Sequence, residues 1–219
     1  MDLINIVDSN AGVYALDIEP GLFPREDPAI VARGNVHFHV GSITALPTDW
    51  EHKFCLIHQR LLIAALRKEE WEKALAEMLR ALVPGGWVQL EEIGTWKAGG
   101  ETEGFTNLTD AMATAKELVF DCALIIPGIL RRTGFVEVSV EKIIIPLGSQ
   151  GGQLAVDART NWMGAFRGLK TPILKAGGFG YVHSEEEYDA KLGAVEREWE
   201  AMPEAHIEYF VFTAKKPLL

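Results

Sequence analysis

Apolar and polar positions along this chain recur with the two periods of regular secondary structure, and the elements they predict follow the order of an α/β fold. In "VYALDIEP", residues 13–20, Val13, Tyr14, Leu16 and Ile18 predict a short strand that ends on Asp17 and Glu19 and is closed by Pro20 and Gly21. "NVHFHV", residues 35–40, alternates Val36, Phe38 and Val40 with polar residues and predicts a second strand. "FCLIHQ", residues 54–59, is nearly continuous in apolar residues, the pattern of a strand covered on both faces. In "KEEWEKALAEMLRALVPGG", Trp71, Ala74, Leu75, Met78, Leu79 and Leu82 fall at three- and four-residue spacing and give a helix one apolar face. Glu69 and Glu70 lie in its first turn and Arg80 in its last, the charge order a helix dipole favours. Pro84-Gly85-Gly86 predicts the stop, and "WVQLEEI" follows as a strand. Strand, helix, turn and strand make a βαβ unit, so the sheet is at least partly parallel.

Further along, "FTNLTDAMATAKELVF" has a helical pattern, "LIIPGILRRTGF" predicts a helix that breaks at a glycine turn, and "VEVSVEKIIIPL" predicts a long strand. Residues 151–182, rich in Trp, Gly and Lys, read as an inserted lobe on the substrate side. Ser184 and Glu187 stand three apart at the head of "SEEEYDAKLGAVEREWE", a capping-box spacing that predicts a helix. "HIEYFVFTAKKP" predicts a last strand, expected to pair antiparallel with the long one at an edge of a mostly parallel sheet. The 219 residues suit a single domain with one lobe.

Composition narrows the function classes. A net charge of −10, with basic residues scattered, argues against a nucleic acid or an anionic membrane as main partner. The two cysteines, Cys55 and Cys122, lie in apolar stretches and read as buried, reduced thiols of a cytoplasmic protein. No segment has the pattern of a signal peptide or the length of a membrane span. The histidines and cysteines show no zinc-ligand spacing, so no metal is expected.

The quoted motifs, in this order, resemble those of the class I S-adenosylmethionine-dependent methyltransferases, and most closely the methyltransferase-like proteins of fungal secondary metabolism. "ALDIEP" resembles the end of that family's second strand, where an acid holds the ribose hydroxyls. "NVHFHVGSITALP" resembles its third strand and adenine-binding turn, and "FCLIHQRLLIAAL" its fourth strand. "ALAEMLRALVPGGWVQLEEIG", the most specific piece, resembles the helix, glycine turn and fifth strand that follow. The resemblance covers about residues 13–94 and implies a Rossmann-like sheet with an antiparallel last strand, S-adenosyl-L-methionine as cofactor, and methyl transfer to a small metabolite. It places Asp17 on the ribose, and Ser42 with Ile18 and Ile43 about the adenine.

On the substrate side it places His58 as a general base, with Gln59, Arg60, Glu92, Trp96, Trp162 and Phe166 around the substrate. For each a plainer reading stands beside this one. His58 reads equally as a histidine satisfied by its neighbours, Glu92 as a solvated carboxylate, and the aromatics as core packing.

The sequence departs from the family in three places. The opening strand and its acidic, glycine-rich loop are absent or replaced: "LINIVDSNAGVYALDIE" offers only two apolar runs joined by "DSNAG", a hairpin length rather than a parallel crossover. Ser42 stands where an aspartate is usual, and Cys55 stands where the fourth strand often carries one. Two explanations stay open, a truncated gene product and a descendant that has lost the site. A different class of function accompanies the second: a pseudoenzyme, scaffold or partner subunit on the same fold. A third possibility is that another chain, such as a second copy in a homo-oligomer, covers the incomplete sheet edge.

Overall fold

A computed structural model describes residues 6–218, the side chain of Cys122 excepted. Among these residues six strands and six α-helices follow in chain order: β1 (Val13–Asp17), α1 (Pro28–Arg33), β2 (Val36–Val40), β3 (Phe54–Arg60), α2 (Lys68–Ala81), β4 (Leu82–Lys97), α3 (Gly100–Ala115), α4 (Cys122–Thr133), β5 (Val136–Pro146), α5 (Gly152–Lys175), α6 (Glu185–Ala201) and β6 (His206–Lys215). They build two sheets. β1 and β2 pair in parallel as a ribbon, and a second sheet runs in the order β3-β4-β6-β5. β3 and β4 are parallel, whereas β6 is antiparallel to both β4 and β5. The fold class is α/β, with parallel ladders toward β1 and antiparallel ones at the far edge.

Several elements have a clear local cause. Asp27 caps α1 by accepting the Ala29 amide at 2.8 Å, and Pro28 occupies its first position. At the head of α2 the Glu70 carboxylate accepts the Arg67 amide at 2.8 Å. Ser184 caps α6 by accepting the Glu187 amide at 3.2 Å, but the Glu187 carboxylate accepts from His183, one residue earlier than a capping box requires. Pro84-Gly85-Gly86 plays a different part from the one predicted. α2 has already ended at Ala81, and the three residues lie inside β4, where the ladder partner of Phe54 is Leu82 and that of Leu56 is Trp87. They form a bulge, with Gly85 at φ +78° and its amide bound to the Lys216 carbonyl at 3.0 Å.

The helices divide the core in two. α2 and α4 cover one face of the second sheet, where Trp71, Leu75, Met78, Ile126, Ile129 and Leu130 pack on Val88, Leu90 and Phe212. α3, α5 and α6 build a second cluster around Trp199, Tyr188 and Met163 at the far end of β4 and β6. There Glu198 of α6 takes the first amides of α3, Glu101 at 2.9 Å and Thr102 at 2.8 Å. A third, small cluster of Leu46, Trp50 and Ala81 joins the β1–β2 ribbon to the rest through Leu16. Arg80 and Glu77 of α2 reinforce that joint, since Glu77 accepts the Leu46 amide and Arg80 donates to the Leu46 and Pro47 carbonyls.

Two expectations are corrected. Ile6 and Val7 lie in a turn rather than a strand, and the only partner of β1 is β2, so no hairpin precedes it among the described residues; residues 1–5 lie outside them. Cys55 is exposed, on β3 at the edge of its sheet; the Cys122 side chain lies outside the description.

Candidate functional site

Between the β1–β2 ribbon and the free edge of β3 lies a cleft of about 460 Å³, a volume suited to a small-molecule ligand. Asp17, Ile18, Ser42, Ile43, His58, Gln59 and Arg60 all line it. Both strands that flank it are parallel-sheet strands, and these residues sit at or just beyond their carboxyl ends, the side on which open α/β sheets bind ligands. Tyr14, Trp50 and Phe54 close the opposite end as three rings set edge to face, with centroids 5.1–5.8 Å apart and the Lys53 ammonium 4.3 Å from the Tyr14 ring.

Asp17 is the last residue of β1, held in register by a hydrogen bond from the Gly41 amide to its carbonyl at 2.9 Å. One carboxylate oxygen accepts the Glu19 amide at 2.8 Å, which fixes the side chain; among the described residues the other accepts nothing. An oriented acceptor of this kind suits a hydroxyl pair. Ser42 stands two residues beyond the end of β2. Its hydroxyl lies 2.8 Å from that of Thr44 and accepts the Thr44 amide at 3.2 Å. Ile18 is 74% exposed, an apolar side chain offered to the cleft rather than to the core.

On the opposite wall, the turn after β3 is held from within. Leu61 has φ +58°, a conformation uncommon for a residue with a branched side chain. Glu92 of β4, fully buried, accepts the Leu62 amide at 2.7 Å, the Ile63 amide at 3.1 Å and the Gln59 side-chain amide at 2.6 Å. Burial pushes the Glu92 carboxyl up from 4.5 to about 7, against the pull of these three donors. The folded chain therefore binds a proton here that the unfolded chain has released. Stability is expected to fall as pH rises from about 4.5 to about 7, by roughly 3 kcal/mol in total. Urea unfolding at about pH 5 and about pH 8 checks this: the wild type should lose most of that increment across the interval, and Glu92→Gln should lose much less.

His58 and Glu91 face the other side of the sheet edge. His58 Nε2 lies 3.2 Å from Glu91 Oε1, which also accepts from Gln89 Nε2 at 2.9 Å, while the Tyr209 hydroxyl donates to Glu91 Oε2 at 2.9 Å.

The structure brings together seven of the residues expected in the site and separates four. Glu92 does not line the cleft, because the face of β4 that carries Val88, Leu90 and Glu92 is the one covered by α2 and α4. Their spacing of two residues was the available signal. Trp96, Trp162 and Phe166 belong to the second core cluster. Trp96 meets Trp162 edge to face at 5.0 Å and stacks on Trp199 at 5.4 Å, leaving only about 10 Å³ of space beside Trp96 and Phe166. The segment expected to be a lobe is mainly α5, packed against α6 and β5. Sequence reasoning missed the aromatic floor and the tie between His58 and Glu91, which depend on contacts across strands.

Known proteins resemble the chain in sequence and in fold. The family described as "Methyltransferase domain" matches residues 2–86. The N-methyltransferase verN of Clonostachys rogersoniana is 29% identical over 167 residues, 73% of this chain and 55% of that protein. The N-methyltransferase sirN of Leptosphaeria maculans is 31% identical over 143 residues, 62% of this chain and 48% of that protein. Over these stretches the chain is similar to methyltransferases, the family match lying in residues 2–86. It spans about half the length of these two curated relatives. The fold agrees: phosphoethanolamine N-methyltransferase 2 of Haemonchus contortus, solved in complex with S-adenosyl-L-methionine, aligns with a TM-score of 0.52 at 16% identity over 94% of this chain and 43% of that one. S-adenosylmethionine is the cofactor of this methyltransferase family, and the cleft residues fit its nucleoside half, with a fixed carboxylate, a hydroxyl pair and two isoleucines. For its amino-acid half, the described residues offer no glycine-rich loop beside β1 or β3.

Proposed function

We propose that this chain binds S-adenosyl-L-methionine in the cleft between β1–β2 and β3 and takes part in methyl transfer to a nitrogen of a small metabolite. The observation that carries this reading is the convergence of Asp17, Ser42 and Ile43 with His58 and Gln59 on one cleft. In it Asp17 accepts hydrogen bonds from the ribose hydroxyls, while Ser42 and Ile43, with Ile18, hold the adenine. His58, Gln59 and Arg60 meet the substrate. The cofactor would supply an electrophilic methyl group on a sulfonium; the protein's part is to orient the nucleophile and accept its proton. The choice of nitrogen follows the names of the relatives, both N-methyltransferases.

A second reading rests on the described residues, which offer no glycine-rich loop beside β1 or β3: a methyltransferase-fold protein that moves no methyl group. Isothermal titration with S-adenosylmethionine and S-adenosylhomocysteine separates the two. Saturable heat at sub-millimolar ligand is expected from the first reading. No heat at millimolar ligand would leave the second.

A further inference from the structure

We propose that Glu91 is a positioning residue for His58, fixing the imidazole as the Nε2–H form so that Nδ1 stands as proton acceptor for an N–H or O–H group of the substrate. The inference deepens the reading of the cleft as a methyl-transfer site.

Its basis is the way three strands converge on one carboxylate. Glu91 lies on β4, with His58 on β3 and Tyr209 on β6. The Tyr209 hydroxyl and the Gln89 amide can only donate to a carboxylate, one to each oxygen. They hold Glu91 in place and leave it an acceptor toward His58 Nε2, 3.2 Å away. Burial pushes this carboxyl up, yet the donors His58, Tyr209 and Gln89 outweigh it and hold the group below its ordinary value, so Glu91 is ionised at neutral pH. An ionised carboxylate facing Nε2 requires a proton on that nitrogen. In the neutral ring Nδ1 is then bare, and among the described residues no donor meets it. His58 itself lines the cleft, whereas Glu91 does not.

The proton balance is simple. The substrate nitrogen's lone pair forms the new N–C bond as the methyl C–S bond breaks and leaves its pair on sulfur, turning the sulfonium into a thioether; the substrate N–H bond breaks with its pair left on nitrogen, and the proton passes to His58 Nδ1. Glu91 then faces an imidazolium, which it stabilises without taking the proton itself.

The test needs neither substrate nor cofactor. Long-range proton–nitrogen NMR spectra of the wild-type chain at neutral pH should show His58 in one form, with a bare Nδ1 and a slowly exchanging Nε2 proton. Glu91→Ala should abolish that single-form signature, with rapid exchange of the Nε2 proton and a second ring form. Glu91→Gln, which keeps the size and one acceptor oxygen, should show a smaller change in the same direction and serves if the alanine variant loses its fold. A wild-type ring protonated on Nδ1, or a variant spectrum identical to the wild type, would overturn the proposal. Neither result depends on whether the chain binds S-adenosylmethionine.

Discussion

Trp199→Ala should cost the chain about 3–5 kcal/mol of stability, enough to unfold a large fraction of a marginally stable domain. The side chain is fully buried at the centre of the cluster formed by α3, α5 and α6. It stacks on Trp96 with an interplanar angle of 3°, and Phe166 lies 6.1 Å away. Its indole N–H donates to the Thr102 hydroxyl at 2.8 Å, and that hydroxyl donates in turn to Glu198 at 2.6 Å. Deleting the ring opens a large cavity and removes one link of a buried chain that also caps α3, two mechanisms that add. Urea unfolding followed by far-UV circular dichroism measures the change. The result also decides what the aromatics do. If Trp96, Phe166 and Trp199 walled an open pocket, the substitution would shift the unfolding free energy by less than about 1 kcal/mol.

Asp17→Ala should weaken binding of S-adenosylhomocysteine by about 10- to 150-fold, the equivalent of a hydrogen bond or two to a charged acceptor. The expectation follows from the position of Asp17 at the end of β1 and from the hydrogen bond to Glu19 that holds one oxygen. Because Asp17 is only partly buried and ties down one local turn, the same change should leave the unfolding midpoint nearly unaltered. Titration calorimetry on wild type and variant, with circular dichroism to verify folding, separates the two effects. A variant that binds as the wild type does would remove Asp17 from the ribose.

The fold was legible where local chemistry decides the outcome. The apolar stripe Trp71–Ala74–Leu75–Met78 and the acidic first turn define α2 without reference to anything distant. "FCLIHQ" and "WVQLEEI" make the parallel pair that the βαβ order requires. What the sequence left open depends on partners far away along the chain. β6 inserts between β4 and β5, an order no local pattern encodes. The buried residues of α5, Ala155, Met163, Phe166 and Ile173, are diluted by Gly152, Gly164 and Gly168, so a long helix read as an irregular lobe. Glu92 read as a ligand-facing carboxylate because charge at a strand end suggests solvent, while the covering by α2 and α4 reverses that. That Asp17, Ser42 and Ile43 share one cleft was readable from motif order, because residues at strand ends keep their place when the strands keep their order. The His58–Glu91–Tyr209 contact was not, since Tyr209 lies 118 residues from its partner.

The most direct test of this account is a crystal structure of the chain grown with S-adenosylhomocysteine. Electron density for the nucleoside is expected along the gap beside β1, its ribose against the carboxylate of residue 17 and its purine beside residues 42 and 43. Nucleoside density on any other surface, or an empty gap at saturating ligand, would contradict it.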